Sequence, residues 1–468
     1  MRSTNHLFCF LEIFSSEGGI QSYVQDILKA YLSLTAANNF PPQAEVLLLR
    51  DSPNCNNPFE SKNQDLYTNP KSVTNVVQAF SLDGQDAHPT SHLGLLYQIP
   101  LARNDTTVRS SRERTQSEHG TRKKASISLK NPGFCTQTEN LKFYYLKTHP
   151  AWFGRLKFAA QILTNLLHKR PERVFCGHIK LAPLIQTLCQ PLGIPYTILT
   201  YGKEVWEPLA PKYQIAMSKA DSIWTISRYT RDSLRDSFAA RTCEINNLNH
   251  EKFQIVPCTV DENIFTTGPK PQDLLEQYNL VGAKILMTVA RLRSTDIYKG
   301  VDVTIQALPQ IAKTFPNVKY LVIGRGDDRS RLAKLADDLG VSERVIFAGF
   351  VATEKLPAYY QLADAYVMPS QEGFGIVYLE ALACGVPVLA GDADGSADPL
   401  QDGKLGWRVP HRDSAAVAVA CVEMLRGEDK RCDRHWLREQ TLARFSFESL
   451  CQSLLGIFQP SDSDQLMP

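Results

Sequence analysis

The sequence predicts an α/β protein of two doubly wound parallel-sheet domains, and three observations predict it. One βαβ unit is written out in residues 363 to 397. Apolar Ala365 to Met368 reads as a strand, Pro369 to Gly375 as a turn, and Ile376 to Cys384 as a helix; Gly385 stands just past it, before a second apolar strand from Val386 to Ala390. Short apolar runs also alternate with helix-period runs over short links, from Val174 to Phe238 and from Lys284 to Leu362, the pattern of a parallel sheet covered by helices on both faces. Length is the third observation. A chain of 468 residues would ordinarily hold about three domains of ~150 residues, but a long polar stretch takes up part of it and leaves two.

Composition narrows the class. With 43% hydrophobic and 21% charged residues the chain is an ordinary globular one, and a net charge of +2 makes no global case for nucleic acid as a partner. Eleven cysteines, an odd number without Cys-x-x-Cys spacing, predict reduced thiols in a cytoplasmic protein, with neither a disulfide framework nor a zinc site. The run from Leu7 to Phe14 is short for a signal sequence and no window reaches eighteen apolar residues, so neither secretion nor a membrane span is expected.

Taken in order, the first strand is read from Leu7 to Phe14 and the helix after it from about Gln21 to Leu34, where Tyr23, Ile27, Ala30 and Tyr31 recur at helical spacing. Gly18 and Gly19 make the turn between them, and Val46 to Leu49 supplies the second strand. From 52 to 140 polar residues dominate. Such a segment buries too little apolar surface to offset its ordering entropy, so a largely disordered insert is expected, with a short ordered island around Gly94 to Leu101. Its basic cluster, Arg109, Arg112, Arg114, Arg122, Lys123 and Lys124, is either a solvated loop or a run that touches anionic lipid headgroups.

Order is expected to resume with a helix from Gly154 to His168. Strands follow at Val174 to Cys176, Tyr196 to Thr200, Ser222 to Thr225 and Phe253 to Pro257, separated by helices. Thr266 to Asp273, with Gly268, Pro269 and Pro271, reads as the interdomain linker. The second domain starts with a strand from Lys284 to Ala290 and runs to a last helix from Phe447 to Phe458, after which the tail should fray.

The chemistry is expected at the carboxyl edges of the strands, where free amide N–H groups and the positive end of a helix favour phosphate. Glu372 falls in the loop before the Ile376 helix, Gly373 and Gly375 let the backbone approach a ligand, and Glu380 falls just over one turn into the helix. Arg291 at a strand end and Lys299 before the next helix place two cations together, an arrangement that a bridging diphosphate would stabilise.

The segment Glu-Gly-Phe-Gly-Ile-Val-Tyr-Leu-Glu-Ala, followed by Ala-Cys-Gly-Val-Pro-Val, resembles the Glu-x7-Glu signature of the retaining family 4 glycosyltransferases. The resemblance extends over most of the chain apart from the insert. It implies the GT-B fold, two Rossmann-like doubly wound parallel-sheet domains facing across a cleft, here residues 1–265 and 266–444, with 445–468 crossing back to the first domain. It carries donor contacts onto Gly18, Gly19, Gly373, Phe374, Gly375, Ile376, Val377 and Glu380, and nucleobase contacts onto Phe350 and Val351. It gives catalytic roles to Glu372, Arg291 and Lys299.

Tyr201, His178 and Glu204 belong to the sugar and acceptor side. Tyr201-Gly202-Lys203-Glu204 departs from the family's His-Gly-x-Glu, and a phenol is a poor base near pH 7; His178 reads as a structural side chain. Asp392-Ala393-Asp394 has the form of a metal motif but falls at the family's Gly-rich loop, so no metal or other cofactor is expected. The implied partners are a nucleotide-sugar donor, UDP- or GDP-linked, and a glycan or lipid-linked hydroxyl acceptor. Two alternatives remain open: a nucleotide-sugar epimerase, and a donor-binding protein without turnover.

Overall fold

The structure is a computed structural model that describes residues 5–15, 18–36, 43–53, 55, 57–59, 134–137, 141–239 and 250–458. Two sheets organise it. The first has eight strands: β1 (Asn5–Phe10), β2 (Gln43–Leu48), β3 (Phe134–Gln137), β4 (Leu141–Tyr145), β5 (Arg173–Cys176), β6 (Tyr196–Thr200), β7 (Ser222–Thr225) and β8 (Phe253–Ile255). Their spatial order is β3-β4-β2-β1-β5-β6-β7-β8. All pairings are parallel except that of β3 with β4 at the edge.

The second sheet is wholly parallel. Its strands are β9 (Lys284–Val289), β10 (Val318–Ile323), β11 (Val345–Gly349), β12 (Ala365–Met368), β13 (Val388–Gly391) and β14 (Trp407–Val409), in the order β11-β10-β9-β12-β13-β14. Its inner strands are apolar almost throughout because helices cover both faces; Leu286, Met287, Tyr366 and Val367 are fully buried. Each such side chain contributes about 1.5–3 kcal/mol by leaving water.

The first strand ends earlier than the apolar run to Phe14 suggested. The Asp51 carboxylate accepts the amides of Ile13 at 2.6 Å, Phe14 at 3.2 Å and Ser15 at 2.7 Å, which draws the chain off the sheet after Phe10. The insert also needs correcting at both ends. Phe59 is buried with its ring 5.8 Å from that of Phe143, Asn57 donates to the Tyr145 hydroxyl at 2.9 Å, and β3 with β4 forms a hairpin inside the expected disordered range and just past it. The expected island at 94–101 and the basic cluster lie outside the described residues.

Arg434–Phe445 is the longest of the described helices that were not foreseen. Asp433 caps it by accepting the amides of His435 and Trp436, and Leu437, Thr441 and Phe445 bury one face at a spacing of four. The Phe447–Phe458 helix that follows packs against the Gly19–Ala36 helix of the first sheet. Its Phe458 ring lies 5.1 Å from Tyr31, 5.6 Å from Phe175, 5.9 Å from His6 and 6.3 Å from Trp224.

Candidate active site

The loop after β12 leads into the Ile376–Ala383 helix through Gly375, whose φ of 92° is left-handed and caps the helix without a side chain. The first amides, those of Ile376 and Val377, are therefore left to a ligand or to water. Lys299 forms an ion pair with Glu372, and the two side chains are only 16% and 17% exposed. Burial pulls the Lys299 ammonium down, but Glu372 and Tyr298 beside it together outweigh that and hold its pKa above the ordinary lysine value. Arg291 stands 61% exposed, with its Nε 3.4 Å from an Asp296 carboxylate oxygen, and lines one hollow with Lys299, Arg293 and Arg331 and with the carboxylates of Asp296, Asp302 and Asp328.

Glu380 is half-buried and accepts from the Tyr360 hydroxyl at 2.6 Å. Burial pushes its carboxyl up to about 7 against the pull of that bond. Glu380 and Glu372 both lie close enough to Tyr366 to add to the effect of burial in raising its phenol. Arg291 and Lys299 therefore share a hollow, Lys299 holds Glu372, and Glu372 and Glu380 both lie in the neighbourhood of Tyr366.

The first domain approaches this loop through backbone. A Cβ on Gly373 would meet the Tyr201 carbonyl oxygen at 2.1 Å, and one on Gly202 would meet the Gly373 Cα at 2.8 Å. Gly373 is thus required by contact between the two domains, a stronger constraint than the ligand approach expected from sequence. A Cβ on Gly19 would lie 3.4 Å from the Ile376 side chain, so Gly19 faces the start of the helix, whereas a Cβ on Gly18 would meet the Gln21 side chain at 3.0 Å.

Four expected side chains are engaged elsewhere. The Tyr201 hydroxyl donates to the Gly177 carbonyl at 2.7 Å and its ring is buried edge-on to Tyr23, so it is not presented to a sugar. Glu204 accepts the amides of Tyr201 and Gly202 and so braces its own loop. His178 accepts the Lys180 amide at 3.1 Å and is pulled down to about 4 by burial, then by Lys180 and Arg50, which leaves it neutral and structural. Phe374 is buried, 5.8 Å from Phe445, and serves the core rather than the donor. Phe350 stands 54% exposed under the Arg325 guanidinium at 4.7 Å, and Val351 is half-buried.

Sequence reasoning missed three contributors. Asp394 accepts the amides of Glu372 at 2.6 Å and Ser396 at 2.9 Å; burial pushes it up to about 6 against those bonds. Its carboxylate sets the Glu372 loop, and among the described residues no group of three His, Cys, Asp or Glu could hold a metal. Lys203 reaches over the Tyr298 ring at 2.8 Å, next to Lys299; the stretch Gly-Lys-Glu carried no signal for that. Arg228 crosses between the domains, its backbone amide donating to Asp398 at 2.6 Å and its guanidinium to Asp402 at 2.9 Å.

Residues 273–435 match the family described as Glycosyl transferases group 1. The chain is 32% identical, over 275 residues that make up 55% of it and 69% of the relative, to the GDP-mannose-dependent alpha-(1-6)-phosphatidylinositol monomannoside mannosyltransferase of Mycolicibacterium smegmatis. It is 27% identical to the D-inositol 3-phosphate glycosyltransferase of Acidothermus cellulolyticus, over 59% of this chain and 62% of that one. Among solved structures, Anabaena Alr3699/HepE in complex with UDP superposes with a TM-score of 0.63 at 16% identity, over 97% of this chain and 99% of that one. Sucrose-phosphate synthase from Thermosynechococcus elongatus does so with a TM-score of 0.63 at 17% identity, over 97% and 98%.

Proposed function

Because this chain belongs to the glycosyl transferases group 1 and has the GT-B fold, we propose that it moves a sugar from a nucleotide diphosphate to a hydroxyl of a glycan or lipid-linked acceptor, with retention at the anomeric carbon, acting from the cytoplasm. The observation that carries this reading is the Lys299–Glu372 pair, with Arg291 beside it, at the uncapped start of the Ile376–Ala383 helix. Arg291, Lys299 and the Ile376 and Val377 amides take up the charge that grows on the departing diphosphate. Glu380 accepts the ribose hydroxyls. Glu372 holds sugar hydroxyls and stabilises the positive carbon as the bond to phosphate breaks.

The acceptor oxygen bonds to that carbon on the face the phosphate leaves, and its proton passes to the departing phosphate oxygen. No protein base is needed, in keeping with the engagement of the Tyr201 hydroxyl with Gly177. The reading assigns no metal and no other cofactor. GDP-mannose is the first donor to try, since the mycobacterial relative is named for it; the Anabaena structure makes UDP-sugars the second choice.

The test is a panel of UDP- and GDP-sugars read by thermal shift, followed by determination of the product's anomeric configuration. A saturating donor should raise the melting temperature by several degrees, in line with about 3–4 kcal/mol at 100- to 1,000-fold excess over Kd. An inverted product, or no stabilisation by any nucleotide, would overturn it. The same Tyr201 contact favours a second reading, donor binding without turnover, which would stand if nucleotide bound and neither transfer nor hydrolysis occurred.

A further inference from the structure

Five of the fifteen large apolar side chains that stand exposed among the described residues belong to one helix, Ala151–His168: Trp152 at 64%, Phe153 at 39%, Leu156 at 57%, Leu163 at 40% and Leu167 at 54%. At about 100° per residue these five, with exposed Ala160, fall within one arc of roughly 100°. The buried Gly154, Phe158, Ile162, Asn165 and Leu166 fall on the opposite side. The helix is therefore apolar on two faces. One packs on the first sheet; the other has no counterpart among the described residues, where a helix at the surface of a globular protein ordinarily turns a polar face to water.

The charges around the stripe select what covers it. From 141 to 171 there is no Asp or Glu, while Lys142, Lys147, Arg155, Lys157, Lys169 and Arg170 all occur. Lys169 is held by Glu45, and Lys157 lies over the Phe153 ring at 4.9 Å, at the margin of the stripe. Two copies of this face would bring like charges together, which disfavours self-association. An apolar stripe with a cationic border and an aromatic pair at one end matches an anionic bilayer, with the apolar side chains below the headgroups and the cations among them.

We propose that the Ala151–His168 helix lies on an anionic lipid surface and docks the protein there. Because the helix follows β4, its Trp152 end stands at the carboxyl edge of the first sheet, the edge that carries the Gly18 and Tyr201 loops. Docking would bring the mouth of the site to the lipid. The inference needs only the helix and holds whatever the donor proves to be.

The test is sedimentation of the full chain with vesicles of equimolar phosphatidylcholine and phosphatidylglycerol, against vesicles of phosphatidylcholine alone. Binding should be confined to the anionic vesicles, weaken with salt, and shift tryptophan emission to the blue. Trp152→Phe should keep the binding and lose most of the shift. Leu156→Glu with Leu163→Glu should weaken binding about tenfold or more and leave stabilisation by nucleotide, a check on folding, unchanged. The proposal is overturned if wild type binds neither vesicle or if the double variant binds as well as wild type. It is equally overturned if wild type is a dimer that the double variant converts to monomer, which would assign the face to a second copy.

Discussion

The two domain edges that meet at the site use their polar side chains in opposite ways. On the second domain Arg291 is exposed beside Asp296, Lys299 and Glu372 answer each other, and the helix behind them has no side-chain cap, so paired charges and free amides face the opening. On the first domain Tyr201 bonds Gly177, Glu204 bonds its own loop amides, His178 bonds the Lys180 amide and Asp51 bonds the amides of residues 13 to 15. Those four side chains are satisfied within their own edge, which meets the second domain through the backbone of Tyr201 and Gly202. One edge carries charged side chains; the other is a shaped wall, from which Lys203 reaches over Tyr298.

The largest effect that sharpens this contrast is Lys299→Ala, which removes the cation that the proposed function places at the leaving group. Transfer should fall by about 10² to 10³-fold, and a steady-state assay with saturating donor reads it directly. Gly373→Ala comes next, since its Cβ would meet the Tyr201 carbonyl oxygen at 2.1 Å and force the two edges apart. A displacement on that scale should cost roughly 10- to 100-fold in kcat/KM; unchanged kinetics would mean that the edges need not touch.

Glu380→Gln should weaken donor binding by about tenfold and remove its pH dependence. With its carboxyl at about 7, held there by burial against the Tyr360 bond, wild-type Glu380 gains a proton as pH falls through that value and can no longer accept two ribose hydroxyls. Titration calorimetry from pH 8 to pH 6 should therefore show wild-type affinity falling and the variant's staying flat. Stability of the empty protein runs the other way. A folded-state pKa raised from 4.5 makes this carboxyl stabilising below 4.5, and that contribution is lost as pH rises toward about 7.

The smallest kinetic effect is expected from Tyr201→Phe. It leaves the Gly177 carbonyl without its donor and should lower stability by about 1–3 kcal/mol in a denaturant titration, with kcat unchanged. A tenfold loss of kcat would put chemistry on the first-domain edge and end the contrast.

The same contrast explains what could be read in advance. β6, β7, β12 and the Phe447–Phe458 helix lie where the apolar pattern placed them, because a buried parallel strand and an amphipathic helix carry their own period. Arg291, Lys299, Glu372 and Glu380 were legible as a set through the family resemblance of their segments; charged residues at a strand end or on a helix would not have singled them out alone. Tyr201, Glu204 and Phe374 were misplaced because one sequence does not say whether a polar or aromatic group turns to a ligand or to its own loop. The end of β1 was lost to Asp51, a partner some forty residues away, and β4 to the polar stretch before it. Asp433 ahead of the unforeseen helix was a cap signal that could have been used.

The ring of Phe458 among His6, Tyr31, Phe175 and Trp224 has a consequence for biosynthesis. Strand β1 leaves the ribosome well before the Phe447–Phe458 helix, whose last turn completes an aromatic cluster on which that strand packs. Until then the nascent first lobe holds an aromatic face open to water, with the hazard of aggregation that brings.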